Sequence, residues 1–206
     1  VDPITISGGS YVGLTVNGKP HGRGVMTYAD ASTYDGQWLH GLRHGIGTFS
    51  CGRTGDVYMG PWRGDHKHGQ NCQVTYGNGD LFQGEYAWDA KVRGKMTWAG
   101  GDKLSFDGVW RGTVCGKMVY RNGSKFDGCW QSSPNEVGYN SFFGQWKDGV
   151  GKEVTSSGDT YRGHFKAGMR HGKGKLVHPK RHSSHHEDSI ETIWRNGQYG
   201  QGWKHI

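Results

Sequence analysis

Residues 34–49 read YDGQWLHGLRHGIGTF, and this stretch decides the fold. In its first five residues an aromatic residue, a glycine and a second aromatic residue alternate with polar residues. Alternation of period two is typical of a strand with one buried face. A loop containing glycine follows, and then a second alternating run that ends at Phe49. We therefore predict that the stretch forms a β-hairpin of two short strands.

The same pattern recurs along the chain. Residues 11–26 read YVGLTVNGKPHGRGVM and residues 161–176 read YRGHFKAGMRHGKGKL, in agreement with the first stretch position by position. Weaker copies begin at Tyr58, Phe82, Phe106, Phe126 and Phe142, and a degenerate copy begins at Ile190, which makes nine units. A repeat of this kind is typical of arrays in which each unit packs on its neighbours. Ile4–Ile6 has the pattern of the second strand of an earlier hairpin, so we expect the chain to be a fragment of a longer array.

An isolated hairpin is at best marginally stable in water, so each unit is expected to bury its aromatic face against the next. The composition agrees, because only 33% of residues are hydrophobic while the chain holds 9 Trp, 10 Tyr and 7 Phe. The glycine between two aromatic residues of one face is expected to leave bare backbone for a neighbouring ring. We predict an all-β fold over residues 1–206: one domain, an elongated single twisted antiparallel sheet of tandem hairpins.

One histidine recurs at the same position after each hairpin turn, as His21, His44 and His171. We interpret these residues as hydrogen-bonding groups that shape the loops.

The pattern YxGxW followed by GxxHGxG resembles the MORN (membrane occupation and recognition nexus) repeat, and the resemblance covers essentially the whole chain. It implies a non-enzymatic structural scaffold that self-associates and organises a membrane-associated cytoskeletal assembly, similar to arrays of protozoan parasites. It also implies cytoskeletal partners and a cytoplasmic location, at the cytoskeleton or the inner face of a membrane. An accessory region of an enzyme, with its catalytic domain outside this chain, is an alternative.

The sequence gives no catalytic constellation. Residues 112–117 are similar to a phosphate-binding loop, but there is one residue too few between the glycines, and Met118 stands where serine or threonine would bind magnesium. The GxSxG and HExxH motifs do not occur in the sequence. We predict no catalytic residues and no required cofactor.

The chain is basic, with a formal net charge of +7. A basic run in one late hairpin is predicted to bind anionic phosphoinositide headgroups, and it comprises Arg162, Lys166, Arg170, Lys173 and Lys175. The alternative is a solvated face, and because strand residues alternate between two sides, only some of these cations can share a surface. Nucleic acid is not expected as a partner, since the aromatic residues that would stack on bases are needed inside.

A loop that departs from the repeat contains four histidines, and zinc is the metal that it would bind. The predicted ligands are His178, His182, His185 and His186. The alternative is a solvated loop without metal.

The last unit carries more bulky apolar residues than a solvent-facing cap requires. We predict that it forms a homodimer interface through Ile190, Ile193, Trp194, Tyr199, Trp203 and Ile206. The alternative is that these residues fold back onto the preceding hairpin around Phe165 and Leu176.

The four cysteines, Cys51, Cys72, Cys115 and Cys129, contain no CxxC pair. They are too sparse for a disulfide framework in a chain of this length, which favours a reducing compartment.

Overall fold

The computed structural model describes residues 3–6, 9–111, 113–131, 146–179 and 189–199, which contain strands joined by turns and loops. In these ranges no helix is long and apolar enough to cross a membrane.

The chain divides into two compact units, residues 1–99 and 100–206. The strands of the first unit are β1 Ile4–Ile6, β2 Gly9–Val16, β3 Lys19–Thr27, β4 Thr33–Leu39, β5 Leu42–Ser50, β6 Val57–Arg63, β7 His66–Lys67, β8 Gly69–Thr75, β9 Leu81–Ala87 and β10 Ala90–Thr97. Those of the second are β11 Lys103–Val109, β12 Val114–Tyr120, β13 Lys125–Gln131, β14 Trp146–Val154, β15 Thr160–Lys166, β16 Met169–Val177, β17 Ser189–Arg195 and β18 Gln198–Tyr199.

Within each unit the strands pair antiparallel in chain order, with β7 as a short branch on β6, which also pairs with β8. The predicted all-β fold of tandem antiparallel hairpins is confirmed. Glycines of successive strands face each other in register, as in the pairs Gly13–Gly24, Gly24–Gly36, Gly36–Gly47 and Gly47–Gly60 of the first unit and Gly108–Gly116, Gly116–Gly128, Gly151–Gly163 and Gly163–Gly174 of the second.

The paired glycines make room for an aromatic ring, as predicted. The side chain of Tyr34 lies across Gly36 and Gly47, and a Cβ atom added at Gly47 would stand 2.3 Å from the Tyr34 hydroxyl oxygen. Such a distance is far inside van der Waals contact, so these positions admit only hydrogen beside the ring. The tyrosine itself is fully buried although the sheet is a single layer here.

The described residues form eight hairpins, where the sequence predicts nine units. Trp146, in the unit expected to begin at Phe142, opens β14, which pairs with β13 as the second strand of the hairpin that begins at Phe126. The segment 132–145, which contains Phe142, lies outside the described residues. At the other end, β1 pairs with β2 as the second strand of an earlier hairpin would.

A disulfide joins Cys115 to Cys129, which corrects the expectation of unlinked cysteines. The two residues lie directly opposite each other on β12 and β13, with 4.0 Å between their Cα atoms. The sequence separation of 14 residues gave no sign of this pairing, because the pairing follows from the register of two successive hairpins. The inference of a reducing compartment therefore loses the observation on which it rested.

The hairpin turns stack through backbone hydrogen bonds. In five turns of the described ranges an amide donates to a carbonyl of the preceding hairpin, as from Gly41 to Pro20 at 2.9 Å and from Asp65 to Arg43 at 3.0 Å. The predicted role of the turn histidines is wrong for His21 and His171, whose Nδ1 atoms are buried without a hydrogen-bond partner.

Candidate functional site: the two faces of the sheet

One face of the sheet carries the recurring aromatic residues, and we call it the aromatic face. In the first hairpins Tyr34 meets Trp38 of its own strand edge to face at 4.9 Å between ring centroids and Trp62 of the next hairpin at 5.4 Å. The second unit repeats the arrangement, with Tyr161 against Phe165 at 5.2 Å and against Trp194 at 5.2 Å. Edge-to-face pairs of this kind stabilise beyond the area that they bury. Each hairpin is thus held by rings from itself and from its neighbour.

The polar atoms of these rings are satisfied by the backbone. The Trp62 indole nitrogen donates to the carbonyl oxygen of Gly47 at 3.1 Å, and the Trp38 nitrogen does the same to Gly24 at 3.0 Å. The Tyr58 hydroxyl donates to the carbonyl oxygen of Pro61 at 2.7 Å. Because the aromatic groups are buried and hydrogen-bonded within the array, they position the strands and are not displayed to a ligand.

Cations lie over the rings of the aromatic face in the first unit. The Arg43 guanidinium stands 4.3 Å from the Trp62 ring centroid and pairs with Asp65 at 3.0 Å. The Lys67 amino group lies 5.1 Å from the Tyr58 ring, and the Lys91 amino group lies 5.1 Å from the Phe82 ring. Burial, reinforced by the charge of Lys67, lowers the pKa of Lys91 to about 8.

We expect the free energy of unfolding of the first unit to rise between about pH 8 and pH 10.5. Burial lowers the pKa of Lys91 to about 8 from 10.5, so between these two values the unfolded chain holds a proton that the folded chain has lost, and stability increases with pH. The variant Lys91→Met should be about 2 kcal/mol more stable at pH 7 and should lose most of the rise. Urea unfolding followed by circular dichroism measures both, and an equal slope in the two proteins would contradict the assignment.

In the second unit the corresponding cations share one carboxylate. Glu153 receives hydrogen bonds from Lys147 and, at 3.1 Å, from Arg170. Burial alone would raise the pKa of Glu153, but the hydrogen bond and charge of Lys147, together with the charge of Arg170, outweigh it, so that the pKa is lowered. The Arg170 guanidinium also lies 5.0 Å from the Tyr161 ring. These cations are therefore committed to the folded structure.

The opposite face carries the residues that differ from repeat to repeat, and we call it the variable face. In the first unit one row of directly opposite residues crosses it on successive strands, namely Val12, Val25, Asp35, Thr48, Met59, Gln73, Gln83 and Lys95. The row is mixed in size and charge. This shows that the fold sets no requirement at these positions.

The equivalent row in the second unit is charged throughout. Its members are Asp107, Lys117, Asp127, Lys152, Arg162, Lys175 and Glu191, each opposite the next across neighbouring strands. Lys152, Arg162 and Lys175 stand side by side, and we call these three residues the cation row. Like charges directly opposite each other destabilise a sheet, so this arrangement is not explained by folding.

The structure divides the predicted lipid-binding residues between the two faces. Arg162, Lys173 and Lys175 are exposed on the variable face, and Lys166 lies beside the turn at the end of β15. Arg170 is on the aromatic face, paired with Glu153. Lys152, which sequence reasoning missed, stands directly opposite Arg162. The register of the paired glycines Gly151 and Gly163 would have identified Lys152, because it places the residues that follow Gly151 opposite those that precede Gly163.

The residues predicted for the dimer interface are also separated. Trp194 is buried against Tyr161 of the preceding hairpin, whereas Ile193 is 55% exposed on the variable face. Ile190 is half-buried opposite Leu176. Tyr199 ends β18, and Trp203 and Ile206 lie outside the described residues.

Of the predicted zinc ligands, the structure describes His178 alone. Its Nδ1 atom is 3.0 Å from a carboxylate oxygen of Asp159, which lies in the loop that joins β14 and β15. His182, His185 and His186 lie outside the described residues. In the part of the chain that is described, no cluster of three or more potential ligands is present.

Together these features define a class: a repeat protein of antiparallel hairpins, constant on its aromatic face and variable on the other. The chain matches the MORN repeat family over residues 11–33, 34–53, 82–103 and 161–182. These segments contain the hairpins that begin at Tyr11, Tyr34, Phe82 and Tyr161. The chain therefore carries MORN repeats, and the predicted recognition is confirmed.

Similar proteins share the repeat over short stretches. Alsin from Homo sapiens is 34% identical over 79 residues, which is 36% of this chain and 5% of alsin. MORN repeat-containing protein 3 from Xenopus laevis is 39% identical over 71 residues, 32% of this chain and 30% of that protein. The inactive protein tyrosine kinase pTKL from Plasmodium berghei (strain Anka) is 35% identical over 53 residues, 26% of this chain and 4% of the kinase. The chain thus spans less than a third of the length of each of these relatives.

Proposed function

We propose that this chain is a non-enzymatic scaffold that binds other proteins through its variable face. One observation carries the proposal: the aromatic face repeats the same contacts from hairpin to hairpin, while the row opposite it changes from mixed residues to charged ones. A surface whose residues are free of folding constraints is available for partners. MORN repeats are modules of membrane and protein interaction, in agreement with this role.

The finer proposal is that the scaffold self-associates and organises a membrane-associated cytoskeletal assembly, in the cytoplasm or at the inner face of a membrane. The exposed Ile193 supports self-association, because it remains on the variable face while Trp194 is buried beneath it. A symmetric contact would use this side chain from both copies. A peripheral module that binds phosphoinositide is the second candidate, supported by the exposed cations Arg162, Lys173 and Lys175.

Sedimentation velocity of the full chain at micromolar concentration tests self-association. We expect a dimer, and we expect Ile193→Glu to weaken it by at least about tenfold, since the change places a charge in an apolar contact twice. The matched control is Leu14→Glu, at a residue that is 67% exposed on the variable face of the first unit. A wild-type chain that is monomeric, or a dimer that Ile193→Glu leaves unchanged, would contradict this interface.

A further inference from the structure

We propose that the cation row is a docking site for an acidic, extended segment of a partner protein. The inference rests on the scaffold function and names the chemistry of one partner. Lys152 lies opposite Arg162, and Arg162 lies opposite Lys175, on three neighbouring strands of the second unit. Arg162 and Lys175 are exposed, and Lys152 is half-buried.

The carboxylates beside the cation row neutralise it only in part. Asp127 and Glu191 stand opposite the two ends of the row, yet within the described ranges none of the three cations forms an ion pair. Directly opposite side chains begin about 5 Å apart, where like charges repel. The repulsion costs stability, and an anionic group placed between the cations would reverse it.

Comparison with the first unit shows that the cations are not required by the fold. The matching positions there include Val25, Asp35 and Thr48, in hairpins with the same paired glycines and buried aromatic residues. A residue in this cross-strand row can therefore be apolar, acidic or neutral. Three adjacent cations are a property of this surface and point to an anionic ligand.

The flanking acids favour a peptide over a membrane surface. The whole charged row contains four cations and three carboxylates, so its net charge is only +1. A uniformly anionic bilayer would meet Asp127 and Glu191 as well as the cations, whereas a discrete segment can place its carboxylates between them. The row spans two strand spacings, about 10 Å, which three to four residues of extended chain also span. Arg162, at the centre, can bind a carboxylate through two parallel hydrogen bonds.

The test uses the full chain and a labelled peptide of Glu and Ser residues, with a peptide of Gln and Ser as the control ligand. Fluorescence anisotropy should show that the acidic peptide binds and that added salt weakens the complex. The triple variant Lys152→Gln, Arg162→Gln, Lys175→Gln should bind at least about tenfold more weakly. Each charge pair with the peptide contributes about a few-fold to the binding constant, and the three factors multiply.

The matched control removes three exposed cations of the first unit that are not neighbours, through Lys19→Gln, Arg23→Gln and Lys95→Gln. This control should bind within about twofold of the wild type, although its net charge equals that of the triple variant. The triple variant should melt no lower than the wild type, because it removes like-charge repulsion. Loss of binding will then not reflect loss of folding.

The remaining outcomes overturn the proposal in different ways. Flotation with phosphoinositide vesicles that depends on the cation row, without peptide binding, would assign the row to a membrane. Equal weakening by the two triple variants would reduce the effect to net charge, and no binding of either probe would leave a solvated face. A triple variant that loses the dimer in sedimentation would assign the row to a second copy of the chain. The variant Ile193→Gln removes the apolar side chain without adding a charge beside Lys173 and Lys175, so it should keep the peptide site, and failure of self-association and failure of this site are separate results.

Discussion

Replacing Trp62 by alanine is expected to lower the free energy of unfolding of the first unit by about 4 kcal/mol. The Trp62 ring is buried, stands edge to face with Tyr34 at 5.4 Å and with Tyr58 at 5.0 Å, and carries Arg43 over its face. Its removal opens a cavity between two hairpins and leaves the carbonyl of Gly47 without its donor. Urea unfolding followed by circular dichroism measures the loss.

Trp88 provides the control for this substitution. It is 53% exposed at a turn of the same unit, so Trp88→Ala should change the free energy of unfolding by no more than about 0.5 kcal/mol. If Trp62→Ala prevents folding, Trp62→Phe keeps the ring contacts and should lose a smaller part of the stability. Similar values for Trp62→Ala and Trp88→Ala would show that the aromatic ladder does not hold the hairpins together.

Replacing Gly47 by alanine should destabilise the first unit by about 3 kcal/mol. The added methyl group would stand 2.3 Å from the hydroxyl oxygen and 2.4 Å from the Cζ atom of Tyr34. The Tyr34 ring cannot yield, because it is fully buried and its hydroxyl donates to the carbonyl oxygen of Gln37 at 3.0 Å. The neighbouring hairpin must therefore move, and its contacts with Trp62 are lost in part. Thermal and urea unfolding measure the effect.

The matched glycine is Gly100, where an added Cβ atom meets nothing within 4 Å. Its backbone is outside the left-handed region, so Gly100→Ala should leave the free energy of unfolding unchanged or raise it by up to about 1 kcal/mol. The gain would come from the lower conformational entropy of the unfolded chain. A Gly47→Ala variant as stable as Gly100→Ala would refute the close approach of the Tyr34 ring to the backbone.

The hairpins could be predicted from the sequence because one physical requirement repeats. An aromatic, a glycine and an aromatic at alternate positions specify a buried ring lying on bare backbone, and this identified Tyr34, Tyr58, Phe82 and Tyr161 correctly. The copy at Phe142 stays a prediction, because residues 132–145 lie outside the described residues.

The surfaces could be predicted only in part, because register connects residues that are distant in sequence. The basic hairpin was visible as a run, but Arg170 turned out to lie over Tyr161, and Lys152 joined Arg162 from another strand. The link between Cys115 and Cys129 escaped notice for the same reason. The paired glycines fix the register of neighbouring strands. The residues that lie opposite each other can then be assigned from their distance in sequence to these glycines.

The nearest-neighbour character of the turns and rings bears on how such an array changes in evolution. The Tyr34 ring contacts Trp38 of its own hairpin and Trp62 of the next, and the amide of Gly41 donates to the hairpin before it. A duplicated hairpin would bring both halves of these contacts with it and would disturb no distant pairing. Recombination can therefore lengthen the array one hairpin at a time. Point substitutions on the variable face of each copy can then give that copy a new partner.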